Sequence, residues 1–389
     1  MKRHINIYLI FLIVFSGCNN STKKNIKELI EPDNDGYIPL PENVLEPRDN
    51  ISNPDKVKLG KLLFYDPILS GNKDVSCATC HHPEFGFAEP LDLSIGANGK
   101  GLGFTRKFNE PNHIPFVKRN AHTILNTAFN GIDIQGVYHS NESPMFWDNR
   151  AKGLEAQALL PIETLEEMRG DKISEHDILN VVVARLKEIP EYVTLFEKAF
   201  KRDNAIDKVN LGKAIAAFER TLITPNSRFD KYVQGDENAL SMAEKDGFEL
   251  FKATKCNLCH NGPMFSDYKT HILGVVDNEK LLFSDGGVDS TYAFRTPSLR
   301  NLRYTAPYMH NGKLKDLQAV LEFYEDISNG PSKNNHVPTK HIDSLAKQVN
   351  IKVMDMSLII SFLNSLNSED FDKDIPEQVP SGLPVGGDI

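Results

Sequence analysis

The 389-residue sequence predicts a mainly α protein built from two packed domains with long irregular loops. Three observations lead there. The run Cys-x-x-Cys-His occurs twice, at Cys77-Ala78-Thr79-Cys80-His81 and at Cys256-Asn257-Leu258-Cys259-His260, once in each half of the chain. Apolar residues recur at helical spacing through both halves, while strand-like alternation is rare. The length itself favours two domains, since one domain ordinarily takes about 100–200 residues.

Each Cys-x-x-Cys-His reads as an attachment site for a c-type haem. Two cysteines separated by two residues can each form a thioether to one haem vinyl, and the next residue then lies under the iron as an imidazole ligand. Zinc is the other guest of paired cysteines and fits poorly. Zinc ribbons set their pairs roughly 15–20 residues apart and need no histidine directly after each pair. The expectation is therefore two cytochrome c-like haem domains.

In chain order, residues 1–17 form an export signal. Met1-Lys2-Arg3-His4 give a basic start, Ile5 to Phe15 a short apolar core, and Ser16-Gly17-Cys18 a lipobox-like end. The apolar run falls short of the roughly 20 residues of a membrane span. Cleavage before Cys18 and lipidation of its sulfur are expected, which would tether an exported body to the periplasmic side of a bacterial membrane by lipid alone. A freely soluble periplasmic protein is the alternative. Export agrees with haem attachment outside the cytoplasm, and the five cysteines leave none for a disulfide. The formal net charge of −9 becomes more negative once Lys2 and Arg3 are removed. That acidity argues against nucleic acid and permits a basic electron donor.

Residues 18–53, rich in Asn, Lys, Asp, Pro and Gly, read as tether and loop. Residues 54–227 are expected to hold the first haem and 228–370 the second, with 371–389 as a tail. Ile178, Leu179, Val182, Val183 and Leu186 share a helical face that should end before Pro190; Leu211, Ile215, Phe218 and Leu222 share another ending before Pro225. Ser241 and Glu244 have capping-box spacing ahead of Phe248, Leu250 and Phe251, so a helix should deliver the chain to Cys256. Leu317, Val320, Leu321 and Tyr324 form a further face, and Met356 to Leu366 a closing apolar helix. Between Ser94 and Lys118, glycines at 96, 99, 101 and 103 and Pro111 predict a long loop, a candidate gate over the first haem.

Beyond the haem motifs, several separated stretches stand in a distinctive order. They are Leu59-Gly60-Lys61-Leu62-Leu63-Phe64-Tyr65-Asp66-Pro67, Arg119-Asn120, Phe146-Trp147-Asp148-Asn149-Arg150, Arg295-Thr296-Pro297-Ser298-Leu299-Arg300-Asn301, and Thr305-Ala306-Pro307-Tyr308-Met309-His310. Together they resemble the bacterial dihaem cytochrome c peroxidase family, MauG-type enzymes included, from about Pro54 to Leu366.

The resemblance implies that the His81 haem is peroxidatic and that the His260 haem receives electrons from a small redox protein, a cytochrome c or cupredoxin. It implies Gln157 and Glu167 as the distal pair, with Pro161 keeping that face free of an iron ligand. Heterolysis of hydrogen peroxide needs a base for one proton and an acid for the departing hydroxide, and a buried carboxylate can serve both steps. Glu167 would do so while Gln157 orients the peroxide. Trp147, the single tryptophan, would relay electrons between the haems. Asn120, Thr305 and Pro307 would hold an inter-haem calcium, for which oxygen ligands are suited.

The distal ligand of the second haem falls by family spacing on Tyr324, with Met309 as the rival, since methionine is a common c-haem ligand. A tyrosine there keeps MauG-like oxidation of a protein or small molecule open. A non-enzymatic electron carrier or redox sensor is the alternative of another class. The chain departs from the family pattern at His122, where proline is usual, and at Asn149, where glycine is usual. His113 in the long loop is either a labile ligand of the first haem or a surface residue. Homodimers are common in such families, but no residue here establishes one.

Overall fold

The computed structural model describes residues 37–389; the export signal and Cys18 lie outside the described residues. Eleven α-helices and three two-stranded antiparallel hairpins make up its regular structure. The first half carries α1 (Pro54–Tyr65), α2 (Cys77–Cys80), α3 (Leu154–Gln157), α4 (Leu160–Glu163), α5 (Ile178–Lys187), α6 (Pro190–Phe200) and α7 (Lys208–Glu219). The second carries α8 (Arg228–Val233), α9 (Met242–Ala253), α10 (Leu317–Asn329) and α11 (Met356–Ser365). The hairpins are β1 with β2 (Gly99–Lys100, Lys107–Phe108), β3 with β4 (Pro144–Met145, Ala151–Lys152) and β5 with β6 (Thr270–Ile272, Ala293–Arg295). The mainly α expectation holds.

The same device opens both halves. In α1, a Cβ on Gly60 would lie 2.0 Å from the Ala214 carbonyl oxygen of α7; in α9, one on Gly247 would lie 2.0 Å from the Leu358 oxygen of α11. Only glycine lets each helix pair cross so closely. The helix ahead of each Cys-x-x-Cys-His is thereby fixed to a helix behind it. Capping follows the sequence: Asn53 accepts from the Lys56 amide at 2.9 Å, and Ser241 and Glu244 form the expected capping box. Pro190 ends one helix but also begins α6, because proline suits the first helical position.

Apolar side chains gather in two main cores. One joins α1, α5, α6 and α7 around Leu63, Val182, Phe196 and Leu211; the other joins α8, α9 and α11 around Phe229, Phe248, Phe251 and Phe362. Phe248 and Phe362 have ring centroids 5.0 Å apart. The second core is tied by a fully buried ion pair. Arg300 donates to both Asp230 oxygens at 2.7 and 2.8 Å, and the Leu40 amide donates to the same carboxylate.

The described part of the segment expected as tether and loop, residues 37–53, holds no helix or strand. From Tyr37 onward the segment is packed: Tyr37 and Leu40 are each 1% exposed, and Asn50 donates to Glu155 at 2.7 Å. The segment 371–389 likewise returns to the first half. The Gly386 amide donates to the Tyr65 carbonyl at 2.8 Å, and Thr79 of the first haem motif donates to the Gly386 carbonyl at 2.7 Å.

Candidate active site

Both Cys-x-x-Cys-His motifs close in the same way. The His81 amide donates to the Cys77 carbonyl and the His260 amide to the Cys256 carbonyl, each at 3.0 Å. His81 Nδ1 lies 3.0 Å from the Phe87 carbonyl and His260 Nδ1 lies 2.9 Å from the Phe265 carbonyl. A carbonyl can only accept, so Nδ1 carries the proton and Nε2 keeps its lone pair for a metal. The four motif cysteines form no disulfide. Among the described residues, the three-ligand cluster is Cys259 with Asp267 and His271, within 4.8 Å of one another; it uses one sulfur of its motif and leaves out His260, so neither motif brings its own two sulfurs and histidine around one point as a zinc site would. Free paired sulfurs beside a histidine with a fixed tautomer are the donor set that a covalently bound haem uses.

Around the second motif runs a largely apolar cavity. Cys256, Cys259, His260, Met309 and Tyr324 line it, and it continues to Trp147, Asn120, Thr305 and Pro307. Both ligand candidates therefore face the same space. Burial raises the Tyr324 phenol, and the Cys259 and Cys256 sulfurs on the same cavity wall add to the rise. Tyr37 braces the motif from behind, donating to the His260 carbonyl at 3.0 Å.

Trp147 is buried, and its indole N–H donates to the Asn120 carbonyl at 3.0 Å. The Asn120 amide donates to the His310 carbonyl at 2.8 Å, which ties the Trp147 segment to the 305–310 stretch. Asn120 Nδ2 donates to Leu91, while its Oδ1 receives no hydrogen bond among the described residues. That oxygen, with oxygens from Thr305 and Pro307 on the same cavity wall, suits a hard cation. Arg119 joins the halves by pairing with Asp148 at 2.7 Å and donating to Asp285 Oδ1 at 3.0 Å.

The family departures have local explanations. Asn149 has φ +55°, a left-handed conformation that asparagine tolerates better than most residues. The His122 ring meets Trp147 edge to face at 5.4 Å between centroids.

Gln157 ends α3 and Pro161 sits one turn later in α4. Glu167 lies on a π turn, Leu165–Arg169, where the Arg169 and Gly170 amides reach back five residues to Thr164 and Leu165 at 3.0 Å. Such turns recur at functional sites. Two neighbouring chains clamp it. A Cβ on Gly96 would meet the Glu167 carbonyl oxygen at 2.2 Å, and one on Gly71 would meet the Arg169 oxygen at 1.8 Å. The surrounding protein pushes the Glu167 carboxyl up to about 7, with Arg150 and Arg119 opposing the rise and Glu166 adding to it. Its charge acts on both Cys77 and Cys80, so it stands near the first motif.

The long loop of residues 94–118 supports this turn through Gly96. Its order comes from Arg106, whose guanidinium donates to the Ile95, Gly96 and Gly101 carbonyls. His113 on that loop is exposed, as a surface histidine would be. Sequence reasoning missed Tyr37, Asp285 and the clamping glycines, and also two buried acids, Glu89 and Glu219. An acid embedded in Phe87-Ala88-Glu89-Pro90 or Ala216-Ala217-Phe218-Glu219 was a readable signal.

Two matching histidine motifs on a helical frame, with an enclosed carboxyl beside one of them, define a dihaem c-type redox enzyme. Residues 54–238 match the di-haem cytochrome c peroxidase family. The chain is 38% identical over 289 residues to a methylamine utilization protein MauG of Methylorubrum extorquens, covering 73% of this chain and 72% of that one. It is 33% identical over 337 residues to a cytochrome c551 peroxidase of Nitrosomonas europaea, with 85% of each covered. A solved MauG-like protein associated with microbial copper homeostasis has a TM-score of 0.68 at 27% identity, over 85% of this chain and 95% of that one. The diheme peroxidase BthA from Burkholderia thailandensis shares the fold, with a TM-score of 0.64 at 21% identity, over 87% and 92% of the two chains. The chain belongs to the di-haem cytochrome c peroxidase family and is an oxidoreductase of the peroxidase type. Membership implies two covalently bound c-type haems.

Proposed function

We propose that the protein reduces hydrogen peroxide to water at the His81 haem, with electrons from a small redox protein entering at the His260 haem. Cys77 and Cys80 would hold the first haem and Cys256 and Cys259 the second, each forming one domain of the packed body. The haem supplies the iron at which peroxide binds and electrons arrive. Glu167 takes the peroxide proton nearest the iron and returns it to the departing hydroxide; Gln157 orients the peroxide and Pro161 keeps the face open. Trp147 carries electrons between the two sites. Asn120, Thr305 and Pro307 hold calcium beside it.

One observation carries this reading: the half-buried Glu167 carboxyl sits on a π turn near the first motif, where its surroundings push it up to about 7. A group poised near the working pH can both accept and donate a proton. The test is Glu167→Gln in holoprotein with both haems present. Peroxide turnover should collapse, and unchanged turnover would remove Glu167 from the mechanism. An electron carrier with both irons permanently capped would show no peroxide reaction in the wild type.

MauG-like oxidation of a larger substrate is the second reading, favoured by Tyr324 lining the same cavity as Cys256, Cys259 and His260. A lipid tether at Cys18 on the periplasmic side of a membrane remains part of the proposal, supported by the signal-like start of the sequence. No helix among the described residues is long and apolar enough to cross a membrane.

A further inference from the structure

The carbonyls that fix the two motif histidines both belong to phenylalanines in an unusual conformation. Phe87 has φ +55° and Phe265 has φ +51°, left-handed values that a bulky side chain keeps only where its surroundings impose them. A hydroxyl holds each of these loops. Thr123 Oγ1 donates to the carbonyl of Gly86, next to Phe87, at 2.6 Å, and the Ile124 amide donates to the Phe87 carbonyl itself at 3.2 Å. Ser266, next to Phe265 and 3% exposed, donates through Oγ to the Thr296 carbonyl at 2.6 Å and accepts there from the Tyr268 amide at 3.0 Å. Both hydroxyls connect to segments that hold Trp147. Thr123 lies on the same short run as Asn120, whose carbonyl accepts the indole N–H, and the His122 ring between them meets the indole edge to face. Thr296 follows Arg295, whose amide donates to the Trp147 carbonyl at 2.7 Å and whose Nε donates to the Phe146 carbonyl at 2.8 Å. Short covalent runs and hydrogen bonds thus lead without a gap from Nδ1 of His81, through Trp147, to Nδ1 of His260.

We propose that Thr123 and Ser266 are positioning residues for electron transfer between the two haems: each hydroxyl latches the loop that orients one motif histidine to the segment that holds Trp147. This rests on the reading of Trp147 as the relay. In the step they serve, one electron leaves the second haem, which passes from ferrous to ferric, and arrives at the site of the first. Hydrogen peroxide is the oxidant there, taking two electrons and two protons to give two waters as its O–O bond breaks; the other electron follows from the donor protein by the same route. Electron transfer through a protein weakens with every added length of the bonded route, and a jump across van der Waals space weakens it more than a hydrogen bond does. Without the Ser266 bond the route must detour through Lys269, whose carbonyl accepts from the Thr296 amide at 2.9 Å. Without the Thr123 bond it keeps only the longer Ile124 contact. Loss of either hydroxyl also frees a left-handed phenylalanine to relax, and the imidazole hydrogen-bonded to its carbonyl turns with it.

The experiment is stopped-flow oxidation of the half-reduced holoprotein by hydrogen peroxide, read at the ferrous band of the second haem, with the midpoint potential of each haem measured alongside. Ser266→Ala should slow that oxidation severalfold at unchanged potentials. Thr123→Val should slow it by less, and Thr123→Ser, which keeps the hydroxyl, should run at the wild-type rate. A purely structural role would lower the unfolding midpoint and leave the rate alone, and that result overturns the proposal. A slowing that tracks a shift of either potential overturns it as well, because driving force then explains the change. Trp147→Phe separates the two readings. If it slows the oxidation while Ser266→Ala and Thr123→Val do not, the latches fall and the relay stands; if it leaves the rate unchanged, the relay falls and the latches with it. Should the variants bind less than their full haem, the wild-type holoprotein decides by hydrogen exchange: the Tyr268 and Ile124 amides must be strongly protected, and rapid exchange at either overturns the latch at that end.

Discussion

Replacing Glu167 by Gln is expected to make the protein less active and more stable at once. The ordinary carboxyl value is 4.5 and the folded value is about 7, a shift worth on the order of 3 kcal/mol at about 1.4 kcal/mol per pH unit. The folded pKa lies above the unfolded one, so the folded state holds the extra proton between the two values. Stability therefore falls as pH rises through that window, and the whole penalty is present above pH 7. Glutamine keeps the shape and cannot ionise. The variant should gain at most about 3 kcal/mol above neutrality and almost nothing near pH 4.5, the full figure being an upper bound because the side chain is not sealed from solvent. Guanidinium unfolding of the two holoproteins at about pH 5 and about pH 8 reads this difference. In the same samples, peroxide turnover should fall by roughly 10²–10⁴, the usual worth of a general acid–base, and the rise of kcat/KM with pH near 7 should vanish. Equal stability at both pH values, or turnover within tenfold of wild type, would refute the reasoning.

Three further outcomes follow from the geometry. Gly60→Ala drives a methyl to 2.0 Å from the Ala214 oxygen and must part α1 from α7; a loss of about 1–3 kcal/mol is expected in thermal unfolding, and an unchanged midpoint counts against the close crossing. Arg300→Met strands the buried Asp230 carboxylate and should cost about 3–5 kcal/mol, part of which Asp230→Asn in the same chain restores. Tyr324→Met should raise the potential of the second haem and change its electron paramagnetic resonance spectrum, while Met309→Leu should change neither; the reverse pattern makes Met309 the ligand.

Much of this fold was legible because its helices advertise themselves. The face from Ile178 to Leu186, the capping box at Ser241 and the closing run from Met356 appear within a residue or two of their expected bounds. A shared Gly-x-x-Leu-Phe, at Gly60 to Phe64 and Gly247 to Phe251, also stood in the sequence and marks the two equivalent crossings. What stayed hidden was long-range. Nothing local in Pro-rich residues 37–53 says that Tyr37 will reach the His260 carbonyl, or that the segment ending at Ile389 will close on Thr79 and Arg106. Those bonds join positions hundreds of residues apart, and periodicity reports only neighbours along one element. At the candidate site, residue types and spacing gave the haem motifs, whereas the clamping of the Glu167 turn by Gly71 and Gly96 depends on backbones that meet only in three dimensions.

The two motifs share one scaffold and differ in what surrounds it. In both, a glycine-crossed helix leads to Cys-x-x-Cys-His, and a backbone carbonyl fixes the histidine tautomer. The frame alone therefore cannot assign different chemistry to the two halves. The side chains around it can. Near the first motif stand two buried carboxyls, Glu89 and Glu219, and the half-buried Glu167, all raised toward or past neutrality by burial. Beside the second stands His271, held between Asp267 at 3.2 Å and Asp343 at 2.8 Å, an ion-paired arrangement that keeps its proton. Groups that trade protons near neutral pH suit a site where an O–O bond is reduced to water, and a site with fixed charge suits simple electron passage. This contrast supports the proposed division of labour between the halves, whichever residue completes the second iron's coordination.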